Sequence, residues 1–314
     1  MSKNNVLWSV FFSSQGISYT IGSPSEDKEQ PMGYVPFEPE AIKKGYIRRP
    51  KEIQAILKAI KTENRLENDT VQIVLGEENL LFKKISIEKS ILKIKDMRDY
   101  IQSQLGTSIH FPFDSPTFDY YVIDETDDFY NVLVSIADSN LVEDYVDMFE
   151  SIHTYKIKFD NSYMATYRLF YNYHSQIDRI IPAQEDYFIP QTTGQMFVSL
   201  YHNSLTISIF DQMIPVFTML EVLEDSDFSD MVTQYIERIA NYYQYNIHKG
   251  LNRINHIEIF DYNTCQQPSS IRQGLKKQLT DFKFAFFDFS LIKDYKDELC
   301  HKGYFMALAA SLKE

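Results

Sequence analysis

Glycine is scarce in this chain: 10 residues of 314, against roughly 7% in average usage. Loops that bring the backbone against a phosphate need residues without a Cβ, so the scarcity weighs against phosphate-cradling loops. Cysteine is scarcer still. Cys265 and Cys300 lie far apart, and there is neither a CxxC pair nor a Cys/His metal spacing. Free thiols in a reducing compartment are the simplest reading. Long apolar runs are missing too: none approaches ~18 residues, and Met1 to Asn5 is polar, so neither a transmembrane helix nor a signal peptide is expected. A role at a membrane then needs another molecule to hold the chain there. A basic excess is also absent, since Lys plus Arg number 31 against 44 Asp plus Glu, a net charge of −13. An acidic surface repels phosphate backbones and argues against nucleic acid as a partner. The Lys43, Lys44, Arg48, Arg49 group reads as a solvated loop, with contact to anionic lipid as the sharper alternative.

What the chain does have is apolar and aromatic material. Hydrophobic residues make up 44% and aromatics 15%, with 22 Tyr and 23 Phe, enough for one large domain or two ordinary ones. Val6 to Phe12 and Ile17 to Ile21 read as strands around a Ser13-Ser14-Gln15-Gly16 turn. Pro50 precedes a helix over Lys51 to Lys61 with Ile53, Ile56, Leu57 and Ile60 on one face. Thr70 to Leu75 and Leu80 to Ile87 read as strands, and Lys95 to Leu105 as a helix stopped by Gly106. Asp119 to Asp124 and Tyr130 to Ala137 are strands around an acidic turn. Ser139 is expected to cap a helix over Leu141 to Ile152. This order suggests a small α+β unit over 34–152. Tyr155 to Phe159 is a strand, Asn161 to Ser175 a helix, and Asp178 to Thr193 a linker or surface excursion. Met196 to Leu200 and Leu205 to Phe210 form a second hairpin around His202-Asn203. Met213 to Val222 is a strand broken near Pro215, and Asp225 to Ile247 the longest helix. Strands over Ile254 to Phe260 and Phe282 to Phe289, and helices over Ile271 to Leu279 and Gly303 to Leu312, complete the chain.

Two halves that each open with a hairpin, the first carrying an inserted α+β unit, resemble the actin-like ATPases of the cell-division type. The insert is similar to that of the type IV pilus assembly protein PilM. The supporting stretches run in order: the Ile53 helix, Val71 to Leu75 with Phe82 to Ile87 as paired strands, and IQSQLGTSIHFPF (Ile101 to Phe113). Asp119-Tyr120-Tyr121-Val122, Val132 to Ala137, the Leu141 helix and the closing GYFMALAASL follow. The resemblance implies an α/β, actin-like (ribonuclease H-like) two-lobed fold. Its first lobe would comprise 1–33 and 153–190, its inserted subdomain 34–152, and its second lobe 191–314.

Against that family the chain departs at three places. The first hairpin of the family carries an Asp and a glycine near the nucleotide phosphates; here it reads Ser13, Ser14, Gln15, Gly16. The second carries Asp-x-Gly; here it reads Tyr201, His202, Asn203, Ser204. The late strand lacks its glycine pair and continues Asp261-Tyr262-Asn263-Thr264. Without the carboxylate nothing organises a magnesium water, and bulky turns block the backbone approach that phosphate needs. These departures imply a pseudo-ATPase with no cofactor. The alternative is an active actin-like ATPase with divergent nucleotide loops.

Elsewhere the plain readings dominate. His110, His153, His174, His202, His248, His256 and His301 show no ligand spacing. The acidic pairs Glu77-Glu78 and Asp127-Asp128 lie in turns. Ser13-Ser14 lacks a GxSxG elbow and a base partner. Glu221, Glu224, Asp225, Asp227 and Asp230 suit a helix N-terminus, or a basic peptide. Around His110-Phe111-Pro112-Phe113 and Tyr120-Tyr121 each ring can serve the core of the insert. The resemblance adds a sharper use for Phe111, Phe113, Tyr120 and Tyr121: a groove between insert and first lobe for the cytoplasmic N-terminal peptide of a bitopic, PilN-like inner-membrane pilus protein. That implies a scaffold at the inner face of the membrane, with the assembly motor ATPase as a possible second partner. The cytoplasmic domain of a type II secretion protein, which shares this fold, is a related reading.

Overall fold

The computed structural model describes residues 6–22, 30–67, 69–76, 79–93, 95–180, 194–223, 228–254, 256–263, 270–292 and 302–313. Cys265, Cys300, His301, Glu77, Glu78, Glu224, Asp225, Asp227 and residues 181–193 lie outside them, as does the side chain of His174.

The chain opens with the hairpin of β1 (Val6–Phe12) and β2 (Gly16–Ile21), and β3 (Met32–Pro36) adds antiparallel to β2. A small hairpin, β4 (Ile42–Lys43) and β5 (Tyr46–Ile47), leads to α1 (Pro50–Glu63). Proline in the first turn of α1 costs no hydrogen bond, because that N–H has no intrahelical acceptor. The fully buried β6 (Asp69–Leu75) then enters the first sheet parallel to β1. Next come β7 (Leu80–Glu88), α2 (Met97–Gln104), β8 (Pro116–Glu125), β9 (Phe129–Asp138) and α3 (Ser139–Glu150). β10 (Lys156–Asn161) returns to the first sheet, parallel to β6, and α4 (Ser162–Ile180) follows.

The second half repeats the first sheet. β11 (Gln195–Tyr201), β12 (Ser204–Asp211) and β13 (Ile214–Val222) form an antiparallel meander. After α5 (Phe228–Tyr242), which runs into a π-helical turn at Tyr243–Ile247, β14 (His256–Asp261) lies parallel to β11. α6 (Ser270–Gln278), β15 (Lys283–Phe286) and α7 (Tyr304–Ser311) follow. The strand orders are β10-β6-β1-β2-β3 and β13-β12-β11-β14-β15. Each sheet is thus an antiparallel meander extended by parallel strands on the side of its first strand.

Alternation along the strands sorts the cores. Trp8, Val10 and Phe12 face α1 and α3 with Leu57, Phe149 and their neighbours, whereas Phe11 and Val74 face the middle of the molecule. There α4 and α7 pack among Phe197, Phe210, Phe260 and Tyr262 of the second sheet. The outer face of the second sheet packs on α5 and α6. One carboxylate ties the first layer together. Buried Asp69 accepts from Trp8 Nε1 at 2.7 Å and Thr154 Oγ1 at 2.8 Å, and pairs with Lys61 Nζ at 2.9 Å.

The pairing moves the limits expected for the inserted unit. β6 and β7, consecutive in sequence, belong to different sheets: β6 lies between β1 and β10, while β7 joins β9 and β8 in a separate three-stranded sheet. The insert with a core of its own is therefore the 80–138 segment, built around Ile87, Ile101, Phe118, Val132, Val134 and Ile136. β3, α1, β6 and α3 belong to the first lobe. The closing helix also changes sides. α7 packs on β1 and β2, where Thr20 Oγ1 donates to Ala307 O at 3.3 Å and the Ser18 hydroxyl donates to Lys302 O. Two local expectations change as well. Asp138, not Ser139, caps α3, accepting from Asn140 N at 3.0 Å. α4 runs through Asp178 to Ile180, where a linker was expected.

Candidate functional site

Two places draw attention in the geometry: the turns that close the two hairpins, and a cleft beside the insert.

At the first turn, Ser13 is buried and organises the backbone. Its Oγ accepts from Gln15 N at 3.2 Å and Gly16 N at 3.1 Å, and donates to Gly16 O at 3.0 Å. Turn amides that could have met an anion are thus spent inside the turn. Gly16 has a packing reason: a Cβ there would stand 2.4 Å from Tyr34 Cζ, so the Tyr34 ring occupies the space that the missing side chain leaves. At the second turn, two residues, His202 and Asn203, link β11 to β12. Asn263 clamps this turn, its Oδ1 accepting from His202 N at 2.6 Å and its Nδ2 donating to His202 O at 3.0 Å. Tyr201 spans the seam. Its ring meets Phe11 edge-on at 6.2 Å and Tyr262 at 6.4 Å, and its hydroxyl, like that of Tyr34, lies against Ser13. Burial pushes the Tyr201 phenol up to about 12, with the hydrogen bond to Ser13 acting the other way. Tyr34 is raised by burial as well. Gly303, at φ 74°, lies under the Phe11 ring and beside the Tyr201 hydroxyl.

The strand-end carboxylates near this seam are already engaged. Asp160, at the end of β10, accepts from Arg168 of α4 and from Gln72 Nε2 at 3.1 Å. Asp261, at the end of β14, pairs with Arg272 of α6 at 3.4 Å. A carboxylate held by a guanidinium is a poor ligand for a hydrated magnesium ion.

The second place is a cleft of about 820 Å³. Its floor is the outer face of the insert sheet, with Phe82, Tyr121, Ile123 and Leu133 among its lining. One wall is β10, from Ile157 to Asn161, with Met164 and Arg168 of α4; the tip of the β12–β13 hairpin, Met213 to Pro215, and Lys313 close it. The lining is mainly apolar. Its charged members are Lys158, Arg168, Lys313, Asp119 and the buried Asp160.

Of the rings expected in a groove, only Tyr121 lines this cleft, and it is 69% exposed. Tyr120 points the other way and packs on the insert's core, as do Phe111 and Phe113. This corrects the expected groove set: Tyr120 and Tyr121, neighbours on β8, face opposite sides of the sheet, and Phe111 and Phe113, in the loop before β8, pack inward. Sequence reasoning missed Phe82, Leu133, Ile157, Phe159 and Met213. The alternation within β7 to β9 carries the signal for Phe82 and Leu133; nothing in sequence brings β10 and the β12–β13 tip to them. Ser14 and Gln15 are exposed at the first turn, and Asn203 at the second. Ser204 opens β12 as the partner of Tyr201. Among the described residues no helix is long and apolar enough to cross a membrane.

Comparison with known proteins gives this geometry a context. The family model described as "Type IV pilus assembly protein PilM" matches residues 28–179. Among solved structures, the chain is similar to one described as a PilM–PilN type IV pilus biogenesis complex, at 12% identity and a TM-score of 0.67, covering 98% of this chain and 97% of that one. It is also similar to a Bacteroides thetaiotaomicron protein of actin-like ATPase fold and unknown function, at 10% identity and a TM-score of 0.50, covering 96% and 95%. A third likeness is the ethanolamine utilization protein EutJ from Carboxydothermus hydrogenoformans, at 8% identity and a TM-score of 0.50, covering 99% and 90%. No curated protein matches the chain by sequence. The chain is PilM-like, and its fold is that of the actin-like ATPases.

Proposed function

We propose that this PilM-like chain is a non-catalytic cytoplasmic scaffold of a type IV pilus assembly machine, or of a related secretion or competence machine. In this reading it holds the cytoplasmic N-terminal peptide of a bitopic, PilN-like membrane partner, and so sits at the inner face of the membrane through that partner, linking it to the assembly motor. The observation that carries the reading is the 820 Å³ cleft, an apolar channel between the insert and β10 with an exposed tyrosine on its floor. Extended peptides are recognised by such combinations of strand edge and apolar pocket.

The alternative, an active ATPase with divergent loops, has the fold in its favour. Against it stand the internally bonded turn amides, the Tyr34 and Tyr201 rings at the turn tips, and the arginine-paired carboxylates. A calorimetric titration tests the scaffold reading. A synthetic peptide of the partner's cytoplasmic N-terminus is expected to bind with one-to-one stoichiometry, and absence of heat from that peptide at high concentration would overturn the scaffold reading.

A further inference from the structure

The way β10 lines the cleft says how an occupant is held. From β9 only alternate residues reach the cleft, Leu133, Ser135 and Ala137, so β9 presents a face. From β10 five consecutive residues reach it, Ile157 to Asn161, and from β8, the edge of the insert sheet, a shorter run, Thr117 to Asp119. A strand contributes consecutive residues only when its backbone edge, rather than one face, borders the space. Among the described residues β10 is the last strand of its sheet, with β6 as its neighbour in the strand order, and the side away from β6 borders the cleft.

Two contacts agree on which backbone groups look outward. Lys313 Nζ donates to the Phe159 carbonyl at 3.5 Å, and the Asn161 N–H bonds to Asp160 Oδ1 at 2.9 Å; both fit odd-numbered residues whose backbone groups face away from β6. The N–H and C=O of one strand residue share a side, and the side alternates along the strand. Ile157 and Phe159 therefore present their N–H and C=O groups to the cleft, while those of Lys158 serve the bond to β6. At Phe159 a flexible lysine stands where a neighbouring strand's N–H would donate.

We infer that the cleft takes its occupant by strand addition, the bound segment pairing with the free edge of β10 as a sixth strand of the first sheet. This rests on the peptide-scaffold reading and specifies its binding mode. The six residues of β10 accommodate an extended segment of similar length, about 20 Å. Alternate side chains of that segment face Phe82, Tyr121 and Leu133 on the floor and are apolar. Charge leaves the occupant's sign open. Lys158 stands on the β10 side, Arg168 and Lys313 both pair with the buried Asp160, and the exposed Asp119 lines the floor. The charges of the lining nearly balance, so the segment is recognised by its backbone and its apolar side chains.

The test uses the full chain and the partner's synthetic N-terminal peptide, together with variants of that peptide N-methylated at one backbone position each. Amide hydrogen exchange at Ile157 and Phe159 is followed with and without peptide. Strand addition predicts at least a tenfold slowing at both amides. It also predicts that N-methylation weakens binding tenfold or more at every second peptide position and has little effect between them. If the unmodified peptide binds but the methylation effects do not alternate and neither amide slows, the peptide is held by its side chains alone: strand addition is overturned and the scaffold reading stands. If the unmodified peptide does not bind, both fall together.

Discussion

Phe11 of the first lobe and Tyr201 of the second meet edge to face across the seam between the lobes, ring centroids 6.2 Å apart at 77°. Gly303 lies directly beneath, where a Cβ would stand 2.6 Å from Phe11 Cδ1 and 3.3 Å from the Tyr201 hydroxyl. The two hairpins and the turn that opens the closing helix thus converge on one aromatic contact.

Gly303→Ala should destabilise the protein by about 2–3 kcal/mol, because it adds both a left-handed backbone penalty and a ring clash. Gly106→Ala is the control. Gly106 has a similar φ of 79° but open space around its Cβ position, so only the backbone penalty of about 1 kcal/mol is expected. Urea denaturation of both variants measures the difference, and equal losses would show that the ring contact carries no weight.

Tyr201 gives a pH signature. Its folded-state value is pushed up to about 12 from the ordinary 10, first by burial. The fold thus favours the neutral phenol, and this contribution is complete below pH 10 and is lost as pH rises through 12. Stability of the parent should therefore fall relative to Tyr201→Phe between pH 10 and 12, by an amount on the order of 2 kcal/mol. Parallel stability curves in that window would contradict the buried placement of the hydroxyl.

Adjacent tyrosines should separate binding from stability. Tyr121 is exposed in the cleft, so Tyr121→Ala should leave the urea midpoint nearly unchanged while weakening the partner peptide about tenfold. Tyr120 packs on the insert's core, so Tyr120→Ala should cost about 2 kcal/mol of stability. A reversed pattern would place the peptide on the other face of the insert.

Asp69 is expected to be the most sensitive polar position of the first lobe. Asp69→Ala leaves the Trp8 indole N–H, the Thr154 hydroxyl and the Lys61 ammonium without their shared acceptor. The loss should be about 3–5 kcal/mol by chemical denaturation. A loss below 1 kcal/mol would mean that water replaces the carboxylate readily.

The legible parts of the sequence were those in which one element carries its own signal. The hairpins at Val6–Ile21 and Gln195–Asp211 follow from β-rich runs around short turns, and α1 from its apolar spacing behind Pro50. The insert's first boundary was not legible. β6 and β7 look like a hairpin pair in sequence, and only the pairing of β6 with β1 and β10 separates them. The placement of α7 was hidden for a related reason, since nothing local says which lobe a closing apolar helix packs on. For the cleft the limit is distance along the chain. Phe82, Tyr121, Phe159, Met213 and Lys313 meet only through the fold. The period of two, by contrast, is legible in the sequence, and it places Tyr120 and Tyr121 on opposite faces of their strand.

The most direct test of a pseudo-ATPase scaffold is a thermal-unfolding titration with Mg-ATP up to millimolar concentration. A ring-filled seam with internally bonded turns predicts a melting temperature that does not move with nucleotide. A saturable, dose-dependent rise would mean that the seam opens to a triphosphate, and would contradict the account.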